Sequence, residues 1–95
     1  MNLPKIIANP STTIIDVRTK EEFMSGHVDG SINFPLDEVV ERIEDFKKMS
    51  GSILLCCVSG ARSGQAESYL RYHGIENVYN GGSWMDINYL KYKAA

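Results

Sequence analysis

The feature of this 95-residue sequence that most limits its fold is an unbroken apolar run, Ser52-Ile53-Leu54-Leu55-Cys56-Cys57. A strand with one wet face alternates apolar and polar side chains. A run that is apolar at every position must be covered on both faces, as a strand inside a parallel sheet is. Other short β-branched runs flank it: Thr12 to Val17, Ser31 to Phe34 before Pro35, and Asn77 to Tyr79.

Helical patterns fill the intervals. Thr19 and Glu22 form a capping-box pair that starts a short helix through Phe23 and Met24, which Gly26 ends. Leu36, Val39, Val40, Ile43 and Phe46 recur at helical spacing and predict one apolar stripe. Ala66, Tyr69, Leu70 and His73 continue a helix from Ser63 that Gly74 stops, and Tyr89, Leu90 and Tyr92 predict a last one. Alternation of this kind implies an α/β fold with a mainly parallel central sheet and helices on both faces. Residues 1–95 are expected to form one domain.

Charge and cysteine usage narrow the function classes. Ten Lys+Arg against twelve Asp+Glu give a net charge of −2, which argues against a general phosphate-backbone binder, so no nucleic-acid partner is expected. The longest apolar run, Ile53 to Val58, is too short to cross a bilayer, and Met1 to Lys5 lacks the start of a secretory signal. The only two cysteines, Cys56 and Cys57, are adjacent and close no useful loop. A reducing cytoplasm is therefore the expected location, and a monomer the expected state. Two distant histidines and two adjacent cysteines offer no metal-ligand spacing, so no metal or cofactor is expected.

The chemistry lies in Cys57-Val58-Ser59-Gly60-Ala61-Arg62-Ser63. A cysteine leaves a buried strand, a small-residue loop follows, and a helix begins. That order puts Cys57 at the carboxyl edge of the sheet, where open α/β sheets bind ligands. Loop N–H groups and the positive helix end then face its sulfur, and Arg62 adds a full charge. Such settings depress a thiol pKa, and the thiolate is the nucleophile. Strand alternation turns Cys56 away, as a small buried hydrophobe.

Beyond the loop, Asp16 and Arg18 flank the end of the first long strand and read as structural, with a surface ion pair of Arg18 to Glu22 as the candidate, rather than with Asp16 holding the active loop. His27, in a Gly-His-Val turn, reads as scaffold, and His73 as a helix-end residue facing the dipole. Gly60 is expected to supply a backbone geometry that a side chain would obstruct, with Gly81 and Gly82 acting similarly near the rim.

Three blocks of residues resemble the rhodanese family of sulfurtransferases. Asp16-Val17-Arg18, Glu22-Phe23 and Gly26 through Pro35 look like its N-terminal signature; Cys57 through Ser63 is similar to its active-site pattern C-x-x-G-x-R-S; Val78, Gly81 and Gly82 resemble its late V-x-x-G-G turn. The resemblance implies a rhodanese-like three-layer α/β/α domain. It also implies a two-step reaction in which Cys57 takes the sulfane sulfur of thiosulfate or a persulfide and passes it to a thiol, a protein acceptor or cyanide. Val58, Ser59, Gly60, Ala61, Arg62 and Ser63 would cradle the carried sulfur, with Arg62 on the anionic end of the donor.

Two alternatives stand beside this. One is a carrier or regulatory module without turnover. The other is a cysteine-dependent phosphatase: related cell-cycle phosphatases place five residues between cysteine and arginine, whereas Val58 to Ala61 are four. Two departures from the family pattern concern the site's rim. Trp84 stands two residues after Gly82 rather than about four, and the lead-in before Ile14 is short, so the first helix is expected to be absent or reduced.

Overall fold

In the computed structural model, which describes residues 1–94, the strands β1 (Thr13–Asp16), β2 (Ile32–Asn33), β3 (Ile53–Cys57) and β4 (Val78–Ser83) form one parallel sheet in the order β2-β1-β3-β4. β3 is the central strand foreseen from its composition: all five residues are buried. Its side chains alternate between two cores. Ile53, Leu55 and Cys57 join Ile15, Val17, Val39, Phe46, Ala66, Leu70 and Val78 on one face, while Leu54 and Cys56 join Ile7, Ile14, Val28 and Ile87 on the other.

Helices cover both faces and make three layers. The first core is closed by α3 (Leu36–Val39), α4 (Ile43–Lys47) and α5 (Ala61–Tyr72); the second is closed by α1 (Leu3–Ala8) and α6 (Trp84–Ala94). The remaining helix, α2 (Lys20–Met24), starts at the Thr19 cap, where the reciprocal capping box with Glu22 is complete. α5 ends at His73, and Gly74 follows with φ +88°.

Several boundaries differ from the sequence expectation. The stripe from Leu36 to Phe46 is not one helix: a 3₁₀ turn over Val40–Arg42 separates α3 from α4. That change of winding turns Val40 outward, 56% exposed, while Val39 and Phe46 stay in the core. β4 runs past Tyr79 through both glycines, so Gly81 and Gly82 are strand residues rather than a turn. A Cβ on Gly81 would meet the Leu55 carbonyl oxygen at 2.9 Å and Ile87 Cδ1 at 2.8 Å, so only glycine lets β4 pass this close. In α6, Tyr89 and Tyr92 face solvent and Ile87 carries the buried face. The first helix is reduced to the six residues of α1, capped by the Asn2 side chain on Lys5 N at 3.1 Å.

This topology sets where a ligand can enter. From β1 the chain leaves toward β2, and from β3 toward β4, on opposite sides. The carboxyl ends of β1 and β3 therefore flank a topological switch point, the crevice in which open parallel sheets bind ligands. Cys57 is the last residue of β3.

Candidate active site

The turn from β3 into α5 builds a cradle around one sulfur atom. Gly60 caps α5 with φ +95°, a left-handed conformation that side chains resist. That geometry aims the Gly60 N–H at Cys57 Sγ, 3.0 Å away. The Ser63 hydroxyl, buried in the first turn of α5, lies 3.4 Å from the same sulfur. Burial pushes the Cys57 thiol up, but hydrogen bonds from the Ser63 hydroxyl and from the backbone N–H groups of Ser63, Gly60 and Ser59 outweigh it, and the pKa falls to about 7. The shift favours the thiolate relative to a free cysteine.

Cys56 meets opposite surroundings. It points into the other core and is fully buried, which pushes its thiol up to about 12, with the Asp16 carboxylate adding to the shift. Both cysteines are free.

The other loop residues divide by role. Val58 is half exposed and stands over the loop; Ser59 Oγ accepts from Ala61 N at 3.4 Å, and Ala61 begins the helix. Arg62 does not lead the effects on Cys57. Its guanidinium grips Glu22, Nη1 to Oε1 at 2.6 Å and Nη2 to Oε2 at 3.0 Å. Arg62 and the Thr19 cap hold the Glu22 carboxyl down at about 2, and Glu22 in turn pushes the Arg62 pKa up. Arg62 also lines a surface cavity of about 410 Å³ with Val17, Thr19, Pro35, Leu36 and Asp37.

Two residues that sequence reasoning did not place at the loop are joined to it. Glu22 carried signals for a helix cap, for an ion pair with Arg18 and for the N-terminal family block, and none of them joined it to the loop. Asn80, on β4, carried none, yet its side chain is the brace of the loop. Its Nδ2 donates to Gly60 O at 3.0 Å and its Oδ1 accepts from Gly82 N at 3.0 Å; the Ser63 hydroxyl stands 2.7 Å from that oxygen and 3.4 Å from Cys57 Sγ, with one proton for the two.

The ion pair expected near Arg18 is present with a different partner and in a different place. Arg18 binds the Asp16 carboxylate, Nε to Oδ1 at 3.0 Å and Nη2 to Oδ2 at 2.7 Å, and both side chains are buried rather than on the surface. Only the backbone oxygen of Glu22 takes part, at 3.3 Å from Nη1, because its carboxylate is engaged by Arg62. Nη2 also donates to Gly26 O at 2.7 Å, so the pair ties β1 to the end of α2. Trp84 packs on this assembly, with the Arg18 guanidinium 4.5 Å from its ring centre, and belongs to the core of Cys56 rather than to a rim around Cys57.

His27 is held by Phe23, through Nδ1 to the carbonyl oxygen at 2.8 Å and by ring stacking at 3.8 Å. His73 caps the end of α5 beside Tyr69. Among the described residues no group of three or more His, Cys, Asp or Glu could hold a metal ion, and no helix is long and apolar enough to cross a membrane.

Comparison with known proteins gives this geometry a context. The model of the rhodanese-like domain matches residues 2–86. Thiosulfate sulfurtransferase PspE of Escherichia coli (strain K12) is 40% identical over 80 residues, which cover 83% of this chain and 77% of that protein. A tRNA uridine(34) hydroxylase of Buchnera aphidicola is 32% identical over 79 residues, 78% of this chain but only 25% of that protein. Among solved structures, a rhodanese with anions from E. coli superposes with a TM-score of 0.71 at 38% identity, over 79% of this chain and 89% of that one.

Proposed function

The chain belongs to the rhodanese-like domain family, and from that premise we propose that it is a sulfurtransferase that carries sulfur as a persulfide on Cys57. The observation that supports this most directly is the Cys57 thiol, brought down to about 7 by hydrogen bonds from its own loop. A nucleophile prepared in this way needs no separate base.

In the first half-reaction the Cys57 thiolate attacks the outer sulfur of thiosulfate. An Sγ–S bond forms, the donor S–S bond breaks, and its electron pair leaves with sulfite. A persulfide donor reacts in the same way and releases a thiolate. The terminal sulfur of the Cys57 persulfide then occupies the cradle of Ser59, Gly60 and Ser63, with Val58 and Ala61 completing the loop and Arg62 facing the anionic end of the donor. In the second half-reaction a thiol, a protein acceptor or cyanide attacks that terminal sulfur, and the Sγ–S electron pair returns to Cys57. Oxidation state is conserved overall, so no redox cofactor is needed. We read residues 1–95 as one domain that works as a monomer in a reducing compartment such as the cytoplasm, where Cys57 stays free between turnovers.

The test is intact mass after incubation with thiosulfate and desalting, on the parent protein and Cys57→Ser. A gain of one sulfur atom in the parent alone, reversed by cyanide or dithiothreitol, is expected. Sulfur uptake by Cys57→Ser, or none by the parent with either thiosulfate or a persulfide donor, overturns the reading.

A further inference from the structure

Arg62 is the one cation of the loop, yet both of its terminal nitrogens already face a carboxylate. The Glu22 carboxylate meets it fork to fork, at 2.6 and 3.0 Å, as the oxygens of an anionic substrate would. Glu22 is also firmly anchored: Oε1 accepts from Thr19 N at 3.0 Å and from Thr19 Oγ1 at 3.1 Å, so the cap of α2 holds the carboxylate in place. The topology brings it there, since α2 follows β1 and α5 follows β3 across the switch point. The cavity beside Arg62 adds a second carboxylate, Asp37, among otherwise uncharged walls. Two negative charges thus stand against the one positive charge of the loop that holds Cys57.

We propose that Glu22 is a specificity-determining residue: as the built-in counter-anion of Arg62 it disfavours dianionic sulfur donors such as thiosulfate and steers Cys57 toward persulfides whose far end is neutral or cationic. The choice of donor rests on the sulfur-transfer reading above; the screening of Arg62 does not. A dianion must displace Glu22 from Arg62 or bind beside an uncompensated carboxylate. A persulfide R–S–SH with a cationic R group meets no such conflict. The Cys57 thiolate attacks its outer sulfur, which keeps its proton: an Sγ–S bond forms, the donor's S–S bond breaks, and its electron pair leaves on R–S⁻.

Glu22→Gln tests this, because glutamine keeps an oxygen for Thr19 N and serves equally in a capping box, while the charge is lost. The first readout is the ratio of Cys57 alkylation rates with iodoacetate and iodoacetamide, an anionic and a neutral probe of similar size. We expect the ratio to rise about twofold to fivefold in Glu22→Gln, as befits one partly exposed charge pair, and the rise to vanish in Glu22→Gln/Arg62→Gln. The second readout is sulfur uptake from thiosulfate relative to cysteamine persulfide, which should rise by a similar factor. An unchanged value in either ratio, or a rise that persists without Arg62, overturns the proposal. If neither donor loads the parent protein, the donor choice falls with the sulfur-transfer reading, and the alkylation ratio still decides whether Glu22 screens Arg62.

Discussion

Cys56 and Cys57 share a strand and a peptide bond, yet one thiol titrates at about 12 and the other at about 7. Both are almost completely buried, so burial alone does not separate them. The difference is what each sulfur meets on its own face of the sheet. Cys56 lies in an apolar core with the Asp16 carboxylate near, and both disfavour a thiolate. Cys57 lies where a strand breaks into a helix, and the unpaired N–H groups of that turn, with the Ser63 hydroxyl, supply the hydrogen bonds that a thiolate needs. Reactivity here is a property of the helix start more than of the cysteine.

The sharpest way to break this comparison is to alkylate the protein with iodoacetamide at neutral pH. Cys57 should react more than about a thousandfold faster than Cys56. Sulfur transfer should vanish in Cys57→Ser and largely survive in Cys56→Ser; comparable labelling of both sites would show that the two faces are not chemically distinct.

A smaller effect isolates the hydroxyl. Ser63→Ala removes a hydroxyl that turns its one proton from Asn80 Oδ1 toward the thiolate, so the Cys57 pKa should rise by up to about one unit. The rate of sulfur uptake follows the thiolate and climbs with pH through about 7 in the parent; in the variant the whole profile should shift to higher pH. A profile that falls in amplitude without moving would mean that Ser63 acts on packing alone.

The smallest effect is on stability. A thiol whose pKa is lowered by folding adds stability above its unfolded value, near 9, and loses it as pH falls through the folded value of about 7. Cys56, raised by folding, has the opposite sign and weakens the fold only above about 9. Urea midpoints at pH 6.5 and 8.5 should therefore show the parent gaining on Cys57→Ala by roughly 1–2 kcal/mol over that interval. A constant difference would mean that the folded loop does not prefer the thiolate.

Most of the fold was legible because its signals are local or periodic. The apolar composition of β3 announced a strand covered twice, the Thr19–Glu22 spacing announced α2, and Gly74 announced the end of α5. The misjudged parts are a local change of winding and a close contact between separate segments. Val40 fits the helical stripe in sequence, but the 3₁₀ turn rotates it outward; Gly81 and Gly82 look like a turn, but β4 uses them to pass close to Leu55 and Ile87.

The same division runs through the site. Cys57, Gly60 and Ser63 lie within seven consecutive residues, and a strand-to-helix turn over so short a stretch can close around one atom in few ways. Their convergence was thus implied by the sequence alone. Glu22 is forty residues from Arg62 and Asn80 is seventeen from Ser63, and each reaches its partner only because the strands lie in the order β2-β1-β3-β4. Likewise, Arg18 pairs with Asp16 while the Glu22 carboxylate meets Arg62. Local spacing brought the Gly60 N–H and the Ser63 hydroxyl to the Cys57 sulfur. Tertiary structure decided which side chains brace that loop and which carboxylate meets Arg62, because contacts across the sheet depend on topology rather than on neighbours in the chain.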